Sequence, residues 1–413
     1  MSDPLDAPAP SVPARVAWWR RRDLLVRVVA DCVADAAART VLPAFWSDDT
    51  PLTDAAGSGD GPGLDSLGLV NAASDLTRRL HLDESGQEER LLRQRTLGHW
   101  VDVASAALDH YDRTVTFYTS GSTGAPRPVD HRLADLLGEV AAFQPHLGAP
   151  ARLVTAVPGH HIYGFLWTVL LPACAEVPVW DARRVPAAGL PRRLEPGDLV
   201  VATPFIWQQL AEAGQPLPRG VVGLTSTAPC PPALAERLDG LGLERLIQLY
   251  GATETAGLAW RDAPDAAFRL MARWVRSGDG VTPADRSDCP PVALPDRVRW
   301  HDDARFTIEG RRDTVVQVAG VNVALDHVCD LLEEHAGVAQ AAVRPLGPGR
   351  EGLKAFVVAA AGWQGDADRL VAALHDHLAR HLPAPARPRT IRIGAALPRT
   401  AMGKAADWDA PAS

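Results

Sequence analysis

The stretch YTSGSTGAP, residues 118–126, follows a β-branched run and packs two glycines and four hydroxyl side chains into six positions. Glycine permits positive φ and close backbone approach, so successive N–H groups of Thr119, Ser120, Gly121, Ser122, Thr123 and Gly124 can turn into one concavity. Such a bend suits a triphosphate or pyrophosphate; taken alone, it fits a polar surface linker as well. It is not a Walker A loop, because the GK[ST] ending is absent.

Working outward, RTVTFYTS (113–120), ARLVTAVP (151–158) and DLVVATP (198–204) are short apolar or β-branched runs, and helical patterns at 132–143 and 231–238 lie between or after them. Strands alternating with helices predict an α/β layer with parallel pairing. Upstream, apolar residues Leu25, Val28, Val29 and Cys32 recur at helical spacing, Asp65 or Ser66 can cap a helix carrying Leu67, Val70, Leu76 and Leu80, and a third helix runs from about Thr96 to His110. Downstream of Gly310, two strand-like runs, a helix, two more strands and the long amphipathic DRLVAALHDHLARHL predict a second, smaller α/β unit. The expected organisation is a disordered leader (1–20), a helical segment (21–111), a nucleotide- and acid-binding core (112–310) and a mobile C-terminal domain (311–413).

Composition supports a folded chain. Of 413 residues, 46% are hydrophobic and 22% charged, which excludes wholesale disorder. A net charge of −8 argues against a nucleic-acid partner. Five dispersed cysteines suggest reduced thiols, there is no signal-peptide core at the N-terminus, and the apolar run 162–175 is too short to span a bilayer. A cytoplasmic protein without membrane contact is expected. Only two lysines occur, Lys354 and Lys404, against 40 arginines. A retained lysine is therefore a candidate for chemistry that arginine cannot do.

Three further motifs bear on chemistry. QLYGATE (248–254) ends a strand at Tyr250 and Gly251 and then offers the Thr253 hydroxyl and the Glu254 carboxylate, a hard ligand for Mg²⁺ beside phosphates. Asp296 and Arg311 flank a segment whose halves can form a hairpin; they suit the hydroxyls and oxygens of a ribose, or a surface ion pair. LPRTAMGK (397–404) ends on Lys404, a cation able to meet a carboxylate and a phosphate, or an ordinary surface lysine.

Together and in this order, the motifs resemble the adenylate-forming superfamily of acyl-CoA ligases, adenylation domains and luciferases, over residues 113 to the end. Within it, the chain is similar to the short 4-coumarate–CoA ligases and to the aryl-acid ligases of bacterial pigment clusters. The resemblance implies a large N-terminal domain, a small mobile C-terminal one, and ATP, Mg²⁺ and CoA as cofactors and co-substrates. An aromatic carboxylic acid is activated to acyl-AMP and transferred to CoA, or to the phosphopantetheine of an acyl carrier protein. It makes 119–124 with Arg127 the phosphate loop, and PGHHIYG (158–164) the segment whose His161 borders the acyl and thiol tunnel. TSTAPC (225–230), with Thr227, Ala228 and Pro229, becomes the loop against adenine, and Tyr250, Gly251, Thr253 and Glu254 the adenine and Mg²⁺ motif. Asp296 and Arg311 become the ribose pair, Asp313 the hinge, Gly320 part of the thiol channel and Lys404 the catalytic lysine. Small residues Ala228, Gly251 and Ala256 suggest a flat slot for an aryl ring.

The chain departs from the family at Arg127-Pro128, where Lys-Gly or a similar pair is usual, at Leu325 in place of a proline, and in its reduced front. Residues 22–110 resemble an acyl carrier protein, with Ser66 of DSL where phosphopantetheine would be attached. The alternatives are a plain helix start at Ser66, and, for the chain as a whole, an inactive nucleotide-binding module.

Overall fold

The computed structural model describes residues 16–37, 45–53, 61–119, 127–263, 266–286, 288–294, 296–311, 315–318, 321–346, 352–363, 365–399 and 406–408. The chain forms two compact units, one of Met1–Arg276 with Thr282–Pro290, the other of Ser277–Val281 with Pro291–Ser413. The architecture is mixed α/β, with the larger unit N-terminal, as the sequence predicts.

The first unit opens with α1 (Arg22–Ala36), α2 (Ser66–Leu80) and α3 (Leu97–His110). Asp65 caps α2 by accepting from the Gly68 N–H at 2.7 Å, and Thr96 caps α3 through the His99 N–H. The hairpin β1 (Thr114–Tyr118) and β2 (Pro128–Arg132) follows, then α4 (Leu133–Phe143) and β3 (Arg152–Thr155). A helical passage comprises α5 (Ile162–Phe165), a π-helical turn at Leu166–Leu170 and α6 (Leu171–Ala175). After it come β4 (Val179–Asp181), β5 (Asp198–Ala202), α7 (Pro204–Glu212), β6 (Val222–Thr225), α8 (Pro232–Gly240), β7 (Arg245–Ala252), β8 (Ala256–Arg261) and β9 (Phe268–Leu270). Strands β4, β3, β5, β6 and β7 lie side by side in that order and all parallel; β8 and β9 continue the sheet antiparallel. Strand β5 is fully buried, and after Asp198, which pairs with Arg152, its LVVA reads as a continuous apolar run because both faces of a parallel sheet are covered. Leu199, Val200, Trp207, Leu224, Leu238 and Ile247 are all buried in this unit.

The pairing expected for residues 113–120 is corrected. β1 lies outside the parallel sheet and pairs antiparallel with β2, from Thr114 opposite Arg132 to Tyr118 opposite Pro128. Ten residues or more are needed to cross between parallel strands, whereas the short link here permits only a hairpin.

The front helices, whose sequence resembles a carrier protein, are tied to the rest of the larger unit by buried polar contacts. They belong to the same compact unit as the sheet, and α1 buries two charges whose partners lie far along the chain. Pro172 has no N–H to give the Thr168 carbonyl four residues earlier; Arg27 of α1 supplies the missing donor, Nη2 to Thr168 O at 2.8 Å. Asp31 accepts from the Gly159 N–H at 2.6 Å and pairs with Arg183 at 2.7 Å.

Three short strands, β10 (Trp274–Ser277), β11 (Gly280–Pro283) and β12 (Val292–Ala293), lie where the chain passes from one unit to the next. The second unit contains β13 (Asp296–Trp300) and β14 (Arg305–Arg311), an antiparallel hairpin, then a second hairpin of β15 (Val315–Val318) and β16 (Val321–Ala324). It continues with α9 (Leu325–Glu333), β17 (Val338–Pro345), β18 (Leu353–Ala359), α10 (Ala367–His381) and β19 (Pro388–Gly394). Val328, Leu332, Val357, Leu370, Leu374 and Leu378 lie in its core, the helical residues spaced by four. Among the described residues, no helix is long and apolar enough to cross a membrane. All five cysteines are free.

Candidate active site

Ligands of open parallel sheets bind beyond the carboxyl ends of the strands, and the candidate residues of the first unit gather around such ends. The phosphate-loop motif spans the β1–β2 hairpin. Its mouth is shut by two bonds: the Thr119 N–H donates to the Arg127 carbonyl at 2.9 Å, and the Arg127 N–H donates to the Thr119 hydroxyl oxygen at 3.1 Å. Thr119 thus helps close the loop. The stretch from Ser120 to Gly124 lies outside the described residues.

The second motif ends β7. Gly251 faces Gly257 of β8 next to an irregularity in the register, and a Cβ added there would stand 2.1 Å from the Ala256 carbonyl oxygen, so only glycine fits. Ala256 itself holds φ at +59°, unusual for a residue with a side chain. The turn between is tied by the Thr255 N–H to the Ala252 carbonyl and by the Ala252 N–H to the Thr255 hydroxyl, both at 3.2 Å. Glu254 is exposed at its tip and Thr253 half-buried.

His131 brings these two motifs together. It sits buried on β2, and its Nε2–H donates to the Thr253 carbonyl at 2.7 Å, across 122 positions of sequence. Burial lowers the imidazole pKa, so the ring is a neutral donor at physiological pH.

The loop after β6 is strained where the sequence places adenine contacts. Thr227 has φ +79°, while the Ser226 hydroxyl donates to the Leu249 carbonyl at 3.0 Å and so fixes the loop to β7. The hydroxyls of Thr225 and Thr227 are buried without a hydrogen-bond partner, and Ala228 and Pro229 are exposed. Backbone strain of this kind recurs at ligand-binding loops, and buried hydroxyls without partners are rare elsewhere.

The histidine segment packs against the same ends. The Tyr163 hydroxyl sits 2.9 Å from the Leu224 carbonyl and 3.1 Å from that of Ala202, sharing one proton between the last turns of β6 and β5. Gly164 is needed because a Cβ there would lie 1.9 Å from the Pro158 carbonyl oxygen. His161, at the start of α5, packs against buried His160 with ring centroids 4.1 Å apart and the planes tilted by 40°. Of the small residues suggested for an aryl slot, Ala228 and Gly251 are exposed and Ala256 is buried.

In the second unit, Asp296 and Arg311 stand directly opposite one another as cross-strand partners, which brings the pair of the third motif together. Asp313, Gly320 and Lys404 lie outside the described residues. The chain on either side of residues 399–405 is tied by the Ala406 N–H donating to the Pro398 carbonyl at 2.8 Å. Next to it, Lys354 donates from Nζ to Asp407 at 2.6 Å and is only 2% exposed. The scarcity of lysine therefore marks a buried ion pair at one of its two positions. Ser66 is exposed at the first turn of α2, and the cap is Asp65.

Sequence reasoning passed over His131, Arg79 and Glu139. Arg79 had a signal: it falls on the apolar stripe of α2, with Leu69, Ala72, Leu76 and Leu80. Glu139 is buried on α4, accepts from the Gly257 N–H at 3.0 Å and pairs with Arg273 at 3.1 Å; burial pushes its carboxyl up to about 7. It props β8 immediately behind the Gly251 turn.

Comparison with known proteins gives a consistent result. The family model described as AMP-binding enzyme matches residues 23–278, and that of the AMP-binding enzyme C-terminal domain matches residues 330–404. The chain is 42% identical to a 4-coumarate–CoA ligase of Rhodobacter capsulatus, over 87% of this chain and 94% of that one. It is 39% identical to a 4-coumarate–CoA ligase of Halorhodospira halophila, over 82% and 87%. Among solved structures it is similar in fold to ATP-bound MatB from Rhodopseudomonas palustris, with TM-score 0.58, 15% identity and coverage of 92% and 91%.

Proposed function

Because the chain belongs to the AMP-binding enzyme family, we propose that it activates an aromatic carboxylic acid of the 4-coumarate kind with ATP and passes the acyl group to the thiol of CoA. The observation that carries this reading is the identity of about two residues in five with 4-coumarate–CoA ligases over nearly their whole length. In the first half-reaction a carboxylate oxygen attacks the α-phosphorus of ATP, and the bond to the pyrophosphate oxygen breaks. In the second, the thiolate sulfur attacks the acyl carbonyl, and the carbonyl–oxygen bond to AMP breaks.

The chain's part in the first step is positioning and charge neutralisation. The hairpin loop between Thr119 and Arg127 holds the phosphates, and Thr227 with Tyr250 and Gly251 borders the base. Asp296 and Arg311 hold the ribose, and His161 borders the acid. Among the described residues no group of three or more metal-ligating side chains occurs. Mg²⁺ binds through one or two carboxylates plus substrate phosphates and waters; Glu254, exposed at the turn, is the carboxylate offered. When bound, the ion neutralises phosphate charge. Lys404 is assigned to the charge between carboxylate and α-phosphate, Asp313 to the hinge and Gly320 to the thiol channel, all on motif alone. The domain limits 21–111, 112–310 and 311–413 are kept as functional divisions on the same ground. Reduced cysteines and a net charge of −8 support a cytoplasmic setting with neither nucleic acid nor membrane as partner.

Acid-dependent ATP–pyrophosphate exchange tests the first step, with Lys404→Ala as control; no exchange in the wild type with any acid would favour an inactive nucleotide-binding module. The acceptor is tested at Ser66, whose exposure beside exposed Leu67 and Val70 favours an attached arm as the second reading. After incubation with a phosphopantetheinyl transferase and CoA, an added arm in the intact mass makes the chain its own acceptor. An unchanged mass leaves free CoA as the acceptor if the thioester forms with it.

A further inference from the structure

We infer that Arg79 is a positioning residue that sets the histidine loop and the mouth of the phosphate loop as one piece. The inference rests on the reading of His161 and the 119–127 hairpin given above. Arg79 lies on α2, is 5% exposed and touches three other segments besides its own helix. Its Nη2 donates to Asp35 on α1 at 2.5 Å, and its Nε to Asp75, one turn earlier on α2, at 2.6 Å. Its Nη1 donates to the His160 carbonyl at 3.4 Å, and its guanidinium carbon stands 4.6 Å from the centroid of the Tyr118 ring.

These contacts fix a planar cation along every axis. The two carboxylates and the carbonyl hold it in its own plane, and the aromatic ring holds it along the normal. Each loop contact leads directly to a site residue. Tyr118 precedes Thr119, which closes the phosphate-loop hairpin. The His160 ring packs tilted against His161, and its backbone is held again one residue earlier, where Asp31 accepts from Gly159. The His160 ring is buried, lacks a hydrogen-bond partner and has Asp35 Oδ1 3.6 Å from its Nε2, so it acts as a wedge between the cluster and His161. A displaced guanidinium would move both loops together. Lysine has the charge without the fork or the plane and cannot reproduce the set.

The test uses the full chain with Arg79→Lys, Asp75→Asn and His161→Ala, in exchange assays varying the acid and ATP separately, with active sites titrated. Arg79→Lys should raise the KM for acid and the KM for ATP together by about tenfold, and Asp75→Asn both by about threefold. A purely structural role would lower the active fraction and leave both KM values alone. The inference is overturned if either folded cluster variant leaves the two KM values within twofold of wild type, or moves only one of them, while His161→Ala raises that for the acid. If His161→Ala leaves the acid KM unchanged, it is the site reading that fails, and the ATP KM alone then decides for or against Arg79. Should Arg79→Lys fail to fold, Asp75→Asn carries the decision.

Discussion

The Nε2–H of His131 donates to the Thr253 carbonyl at 2.7 Å, and this bond joins the β1–β2 hairpin to the turn that presents Glu254. The two motifs are remote in sequence and belong to different sheets. Their mutual placement is therefore carried by a side chain and not by strand pairing. His131→Ala should raise the KM for ATP about fivefold in the exchange assay, the scale of one lost hydrogen bond of about 1 kcal/mol. His131→Gln, which restores a donor, should recover part of the loss.

Glu139 gives the stability of the first unit a pH dependence of known sign. Its carboxyl is held up to about 7 against an ordinary 4.5, chiefly by burial, with Arg273 and the Gly257 N–H opposing. Between those values the folded chain binds a proton that the unfolded chain has lost, so stability falls as pH rises from about 4.5 to about 7 and is level above. Thermal melting of wild type and Glu139→Gln from pH 5 to 8 checks this. The wild type should lose melting temperature relative to the variant as pH rises, and parallel curves would contradict the assignment.

Gly251→Ala should cost about 1–3 kcal/mol in denaturant unfolding, because the new methyl meets a backbone carbonyl 2.1 Å away rather than a movable side chain. Exchange activity should fall further than stability, since Thr253 and Glu254 ride on the same turn.

The Lys354–Asp407 pair should respond asymmetrically. Lys354 is almost sealed from solvent, whereas Asp407 is half exposed. Asp407→Ala removes the carboxylate from a buried ammonium; Lys354→Met leaves a carboxylate that water can reach. Melting temperature should drop more for Asp407→Ala than for Lys354→Met.

Periodicity and end signals made much of the fold legible. Thr96 and Asp65 cap the helices they announce, and DRLVAALHDHLARHL forms α10 with its leucines inward. The cross-strand placement of Asp296 opposite Arg311 was legible because the segment between them is long enough for two strands and a tight turn. The hairpin at 114–132 was not, because the polar strand PVDHR carries no alternation of apolar residues, and pairing in β1 is decided by loop length. The polar cluster around Arg79 was hidden for another reason. Its partners Asp35, Asp75, His160 and Tyr118 are ordinary residues of four segments, and only the tertiary fold makes them neighbours. Lysine counting singled out two positions without separating them; burial separates Lys354 as an ion-pair residue.

The most direct test of the account is acid-dependent ATP–pyrophosphate exchange by the full chain, run over hydroxycinnamic, hydroxybenzoic and long-chain fatty acids, followed by thioester formation with CoA. The account predicts that 4-coumarate and its near relatives drive exchange and yield the CoA thioester, and that Lys404→Ala abolishes the exchange. Preference for long alkyl acids, or no exchange with any aromatic acid, would contradict it.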